Sequence, residues 1–168
     1  MKTYARFATS IVALLIFTLT QSLYAAEKKT VTCSNKFGPI QQRLALPVAD
    51  RDGHEIGTQT RQGSSSSSDP DWDGSTVTGI GQFDMVKGNG QIWGYNVRTF
   101  KSGDKVFTKF KPSLKRNSDG DQSPAMAEGS AEILGGTGKF ENIKGSVTLT
   151  GQLSPVAGAF TETLEVEY

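Results

Sequence analysis

The chain has one histidine, His54, and one cysteine, Cys33, and that scarcity bounds its chemistry. Imidazole acid–base work must use His54. It follows an Asp52-Gly53 turn and reads as a surface histidine, since catalysis also needs an orienting partner that the spacing does not supply. Cys33 has no partner for an internal disulfide. It is a buried small hydrophobe, a free thiol or an intermolecular link, and the first is the usual state of a lone cysteine. A zinc site built from several His or Cys ligands is excluded. Asp69, Asp71 and Asp73 alternate like the opening of a calcium loop, but Ile80 stands at the twelfth position, where a bidentate glutamate belongs, and Pro70 interrupts. A complete EF-hand is therefore excluded, and residues 117–121 match less well still. No serine lies in a Gly-x-Ser-x-Gly elbow. Neither a metal nor a cofactor is expected.

What remains is a carboxylate, a guanidinium and a group of aromatic rings. Glu162 alternates with Phe160 and Leu164 and so shares an apolar strand face, where it is costly without a partner. Glu132 aligns instead with Leu134. Glu162 is thus the best single candidate for a functional carboxylate. Trp93, Tyr95 and Phe110 fall on one expected face. They are either ordinary core or the wall of a pocket for an apolar or aromatic ligand. Arg98, with Lys105 and Lys109, falls on the opposite expected face. It is either solvated, an anion contact or an interface anchor.

The elements that must position these residues are strands. No stretch beyond the N-terminal segment sustains a helical period. Glycine recurs every few residues between short runs of Val, Thr, Ile and aromatics, the pattern of a sandwich or barrel. The best local case is a hairpin of residues 91–100 and 105–111. A two-residue turn at Ser102-Gly103 pairs Phe100 with Lys105, Arg98 with Phe107 and Val97 with Thr108. One face then carries Trp93, Tyr95, Val97, Thr99, Val106, Thr108 and Phe110, and a one-residue slip would scramble it. Residues 145–153 and 160–168 alternate with period two. Further strands are expected at 75–85 and 127–134, with weaker ones at 30–34, 43–47 and 55–60. About eight strands suffice to close a small barrel. Residues 64–68, a serine run before Asp69-Pro70, read as a flexible surface loop, and residues 115–124 as another.

The chain of 168 residues opens with Lys2 and Arg6, an apolar run over residues 11–19, and small residues at Ala25 and Ala26. This is the layout of a secretory signal, too short in its apolar part to span a membrane. Residues 1–26 are expected to be removed near Ala25/Ala26, leaving residues 27–168 as one domain in the periplasm or the medium. Without Lys2 and Arg6 the basic residues are nearly balanced by the 17 acidic ones. No nucleic-acid partner is expected, since no basic stripe is present.

The most distinctive string is Gly135-Gly136-Thr137-Gly138-Lys139-Phe140, between strand-like residues 131–134 and a restart at Gly145. It reads as strand, glycine corner, one helical turn, strand. Phe140 and Ile143 turn inward to plug a barrel end. This corner, with Thr-Phe-Lys-Ser-Gly-Asp-Lys-Val-Phe at residues 99–107, resembles the allene oxide cyclase barrel-like family, which includes the plant dirigent proteins. The resemblance covers residues 55–168. It implies an all-β, single eight-stranded antiparallel barrel with an apolar interior, often trimeric. It carries over none of the family's functional residues, because none matches position by position.

The expected role is a small exported barrel that binds an apolar or aromatic ligand without catalysis. The ligand contacts would be drawn from Trp93, Tyr95, Phe110, Arg98 and Glu162. An isomerase or cyclase acting on a lipid-like substrate, with Glu162 and Arg98, is the enzymatic alternative. An outer-membrane barrel is the third. It is disfavoured because aromatics are sparse and glycine interrupts most strands.

Overall fold

The computed structural model describes residues 28–116 and 124–168. The leader expected at residues 1–26 and the calcium-like string at 117–121 lie outside them. Nine strands follow in order: β1 (Lys28–Phe37), β2 (Gln42–Pro47), β3 (His54–Ser67), β4 (Thr76–Val86), β5 (Asn89–Thr99), β6 (Lys105–Lys115), β7 (Ala125–Gly136), β8 (Lys144–Leu153) and β9 (Gly158–Glu167). All are antiparallel to their neighbours, in the order β1-β9-β8-β7-β6-β5-β4-β3-β2.

The sheet closes because β1 also pairs with β3, from Cys33↔Ser67 to Phe37↔Gly63. β2 then continues along the same strand, from Gln42↔Thr60 to Pro47↔Glu55. β1 and β2 therefore fill one position, and nine strands make an eight-position barrel without an edge along most of its circumference. The break falls at Gly38-Pro39, where proline has no N–H to give the ladder. The gap is bridged by Gly38 N–H donating to Gln62 O, Gln41 N–H to Thr60 O and Ile40 N–H to Pro155 O.

Alternation places the core. Two buried clusters stack along the axis. One gathers around Trp72, Phe100, Phe140, Ile143 and Leu164, the other around Phe83, Ile92, Leu114, Ala127 and Leu153. Phe110 and Phe160 touch both. The glycine corner forms as expected, with a 3-10 turn at Gly138–Phe140 that buries Phe140. Gly138 is obligatory there: its φ is +58°, and a Cβ would collide with the Asp104 carboxylate.

Two expectations are corrected. The β5–β6 register is one residue away from the expected one, with Thr99↔Lys105, Val97↔Phe107 and Tyr95↔Lys109. Phe100 N–H donates to Asp104 O and Gly103 N–H to Phe100 O, so the loop holds three residues, Lys101-Ser102-Gly103, rather than two. Gly103 takes a positive φ, the usual third residue of such a loop. A one-residue change exchanges the faces of β5. Second, Ser64–Ser67 is the end of β3, paired with β1, and not a loop; Ser65 is buried. Its composition is turn-like, but tertiary pairing holds it extended.

Candidate functional site

One end of the barrel is sealed by rings. The acidic loop between β3 and β4 delivers Trp72, which is fully buried. Its ring meets Phe100 edge-on at 5.3 Å and Phe140 at 5.6 Å, and its Nε1 donates to Tyr168 Oη at 3.2 Å. Phe100 and Phe140 stack at 4.2 Å. The three aspartates of that loop are turned onto lysines. Asp69 pairs with Lys29 at 2.7 Å, Asp71 with Lys139 at 2.6 Å and Asp73 with Lys101 at 3.6 Å. Alternate-residue spacing here pins a plug; no group of acidic or metal-ligating side chains suited to an ion occurs among the described residues.

Above the plug lies a polar belt. Arg98 Nη2 donates to Glu162 Oε2 at 2.6 Å and to Asn35 Oδ1 at 3.1 Å, and Nη1 donates to Ser75 Oγ at 2.9 Å. The guanidinium also stands 5.6 Å from the Trp72 ring. Both partners of the ion pair are buried, so its worth depends on this full set of contacts. Asn35 Nδ2 is left without a partner. Cys33 is a free, fully buried thiol, and burial raises its pKa, which keeps it protonated and unreactive.

Beyond the belt the interior opens. A cavity of about 70 Å³ is lined by Phe37, Ile92, Phe110, Leu149, Leu153 and Phe160, with Gln59, Arg61, Asn96 and Glu162 as its polar points. Gly79 and Gly81 of β4 also line it. A Cβ at Gly81 would come within 3.2 Å of Ile92, so the glycine lets Ile92 pack close against β4. Gln59, Arg61 and Leu153 border the cavity and also a basin of about 690 Å³ at the other barrel end. They form the neck between chamber and mouth. The mouth lies where the chain leaves β9 after Phe37, with β2 on one side and the β8–β9 turn on the other. On its wall Arg43 pairs with Glu55 and stacks over Phe83, and Lys87 pairs with Asp52.

The structure therefore divides the residues singled out from the sequence. Phe110, Arg98 and Glu162 are inside, and Arg98 and Glu162 converge into one ion pair. Trp93 and Tyr95 are not on that face. The corrected register turns both outward: Trp93 Nε1 donates to Gln82 Oε1 on the outer surface, and Tyr95 is 52% exposed. His54 is not an open turn residue. It is largely buried, between Asp50 at Nδ1 and Asp84 at Nε2, the latter at 2.9 Å. Those two hydrogen bonds, Asp50 first, raise its pKa above the ordinary histidine value. It does not line the cavity.

Sequence reasoning missed Trp72, Gln59 and Arg61. Trp72 sits in a string that reads as a polar loop, and β3 carries polar residues on both faces, so no alternation marks its inner side.

An antiparallel barrel closed at eight positions and plugged at one end by a glycine corner is the allene oxide cyclase-like fold. The chain is similar to the pterocarpan synthase dirigent protein GePTS1, with a TM-score of 0.50 and 11% identity over 84% of this chain and 86% of that one. A pyocyanin demethylase also aligns, with a TM-score of 0.47 and 17% identity over 82% of this chain and 99% of that one. No family model matches the sequence, and no curated protein matches it.

Proposed function

We propose that this protein is an exported, non-catalytic binding protein that holds a small apolar or aromatic molecule inside the barrel. The observation that carries this reading is the apolar chamber joined by a neck to a mouth that the described residues leave open, while the opposite end is sealed by Trp72, Phe100 and Phe140. A concave apolar site with a few convergent polar groups is the usual form of a small-molecule site. The isomerase alternative would use Arg98 and Glu162. Their charges are spent on each other and on Asn35 and Ser75, which favours a structural and positioning role.

A soluble compartment is supported by the outer face. β6 points Lys105, Lys109 and Lys111 outward, and β7 points Glu128 and Glu132 outward, where a membrane barrel needs an apolar band. No helix among the described residues is long and apolar enough to cross a membrane.

The test is titration with a neutral aromatic probe, indole, followed by thermal unfolding and calorimetry. Binding should raise the unfolding temperature, and Leu153→Trp, which fills the neck, should abolish the effect in a folded barrel. Absence of binding by indole and by any copurifying molecule in native mass spectrometry would sink the reading. Cell fractionation checks export, with recovery in the periplasmic extract or medium expected.

A further inference from the structure

Among the described residues, Arg61 is a buried cation without a carboxylate partner. It is 6% exposed, on the inner face of β3, at the neck between chamber and mouth. The neighbouring charges are matched: Arg98 with Glu162, Arg43 with Glu55, Lys87 with Asp52. No carboxylate of the described residues pairs with Arg61. Its Nη1 donates to Gly38 O at 3.3 Å and its Nη2 to Ser154 O. Its Nε is buried with no partner at all.

The two carbonyl contacts pin the β1–β2 break to the β8–β9 turn, and a neutral donor would do that without burying a charge. An unpaired ion at such depth is costly and is retained where something supplies its counter-charge. Burial draws its pKa down to about 10, so it is still a cation at neutral pH.

We propose that Arg61 is the anion-recognition group of the cavity, and that the ligand is a small organic monoanion, a carboxylate or phenolate on an apolar ring or short chain. This rests on the barrel being a binding site and adds the charge of what it binds. A guanidinium with free N–H groups suits a planar carboxylate. The chamber limits size: about 70 Å³ is roughly half the ~150 Å³ of an apolar cavity that accommodates benzene. One ring edge or a short alkyl end enters it, with the anion held at the neck.

The experiment is calorimetric titration at pH 7.5 with matched pairs: benzoate, phenylacetate and hexanoate, each against its primary amide. At least one acid should bind about tenfold or more tightly than its amide. Arg61→Gln should lose that preference, binding each acid and its amide with similar affinity. Amides that bind as tightly as the acids, or a preference retained in Arg61→Gln, would overturn the assignment while leaving the binding reading intact. If neither acids, amides nor indole bind, the binding reading falls and takes this one with it. Arg61 also holds two carbonyls, so a second measurement uses the unaltered protein. The Arg61 Nε–H resonance should move on addition of the best-binding acid and not of its amide, and a stationary resonance overturns the proposal.

Discussion

Glu162 and Arg98 show what one residue's surroundings decide. Glu162 is expected from alternation alone to be an acid on an apolar face, and what makes it tolerable there is the guanidinium 2.6 Å away. Removing one member leaves a buried charge alone, which costs about 3–5 kcal/mol. Arg98→Met and Glu162→Leu should each show that loss in urea unfolding. The double variant should be less destabilised than the two losses added together, since neither charge is then left behind. Strict additivity would mean the pair is not coupled. His54 makes a second prediction at the same scale, with its sign set by its neighbours. Asp50 and Asp84 raise its pKa, so its contribution is fully present below the unfolded value of about 6.5 and is lost as pH rises through the higher folded value. The Asp50 pKa is lowered in return, by the His54 hydrogen bond first, so that carboxylate's contribution is present above about 4 and lost below it. The stability–pH curve should therefore be highest between about pH 4 and 6.5 as far as this cluster contributes. His54→Gln should flatten the decline above that window, and a decline unchanged in His54→Gln would refute the assignment.

At the scale of elements, the corner after β7 and the loop before β4 act together as a stopper. Phe140 enters from the 3-10 turn, Trp72 from the acidic loop and Phe100 from the end of β5, and each is buried against the others. Phe140→Ala should cost about 3–5 kcal/mol, since the ring is packed on every side. Trp72 emission should shift to the red as its cover is lost, while Trp93 outside the barrel stays constant. A stability change below about 1 kcal/mol would mean the plug is not a structural seal. The corner is legible in sequence because its signals are local: three glycines, then Phe140 and Ile143 one turn apart. The alternation of β8 and β9 is legible for the same reason, each having one polar and one apolar face. The β5–β6 register is not, because Lys101-Ser102-Gly103-Asp104 accepts a two- or a three-residue turn, and that single residue decides whether Arg98 or Trp93 faces inward. The neck is hidden for a different reason. Gln59 and Arg61 lie in a strand whose polar residues occupy both faces, and only closure of β3 against β1 and β2 makes one face an interior.

At the scale of the whole molecule, the outer surface is uneven. Most of β6 to β9 presents Lys, Glu, Ser and Thr, whereas β2 to β5 present apolar groups among their polar ones. Ile80 and Tyr95 are directly opposite in the β4–β5 ladder and 55% and 52% exposed, and Leu46 is opposite Ile56 in the β2–β3 ladder with both exposed. Leu44 adjoins them, 63% exposed. Apolar groups gathered on one side of a barrel are unfavourable in water and mark a surface for another protein. An identical copy brings the same face, so this side of the barrel predicts self-association. The protein is accordingly expected to sediment as a homo-oligomer at micromolar concentration. Ile80→Lys combined with Tyr95→Lys places charges on the apolar side, away from the cavity and the plug. The double variant should keep its β-sheet circular dichroism and its affinity for indole while sedimenting as a monomer. A wild-type protein that sediments as a monomer at every concentration tested, or a double variant that assembles as the wild type does, would show that this face serves no self-association.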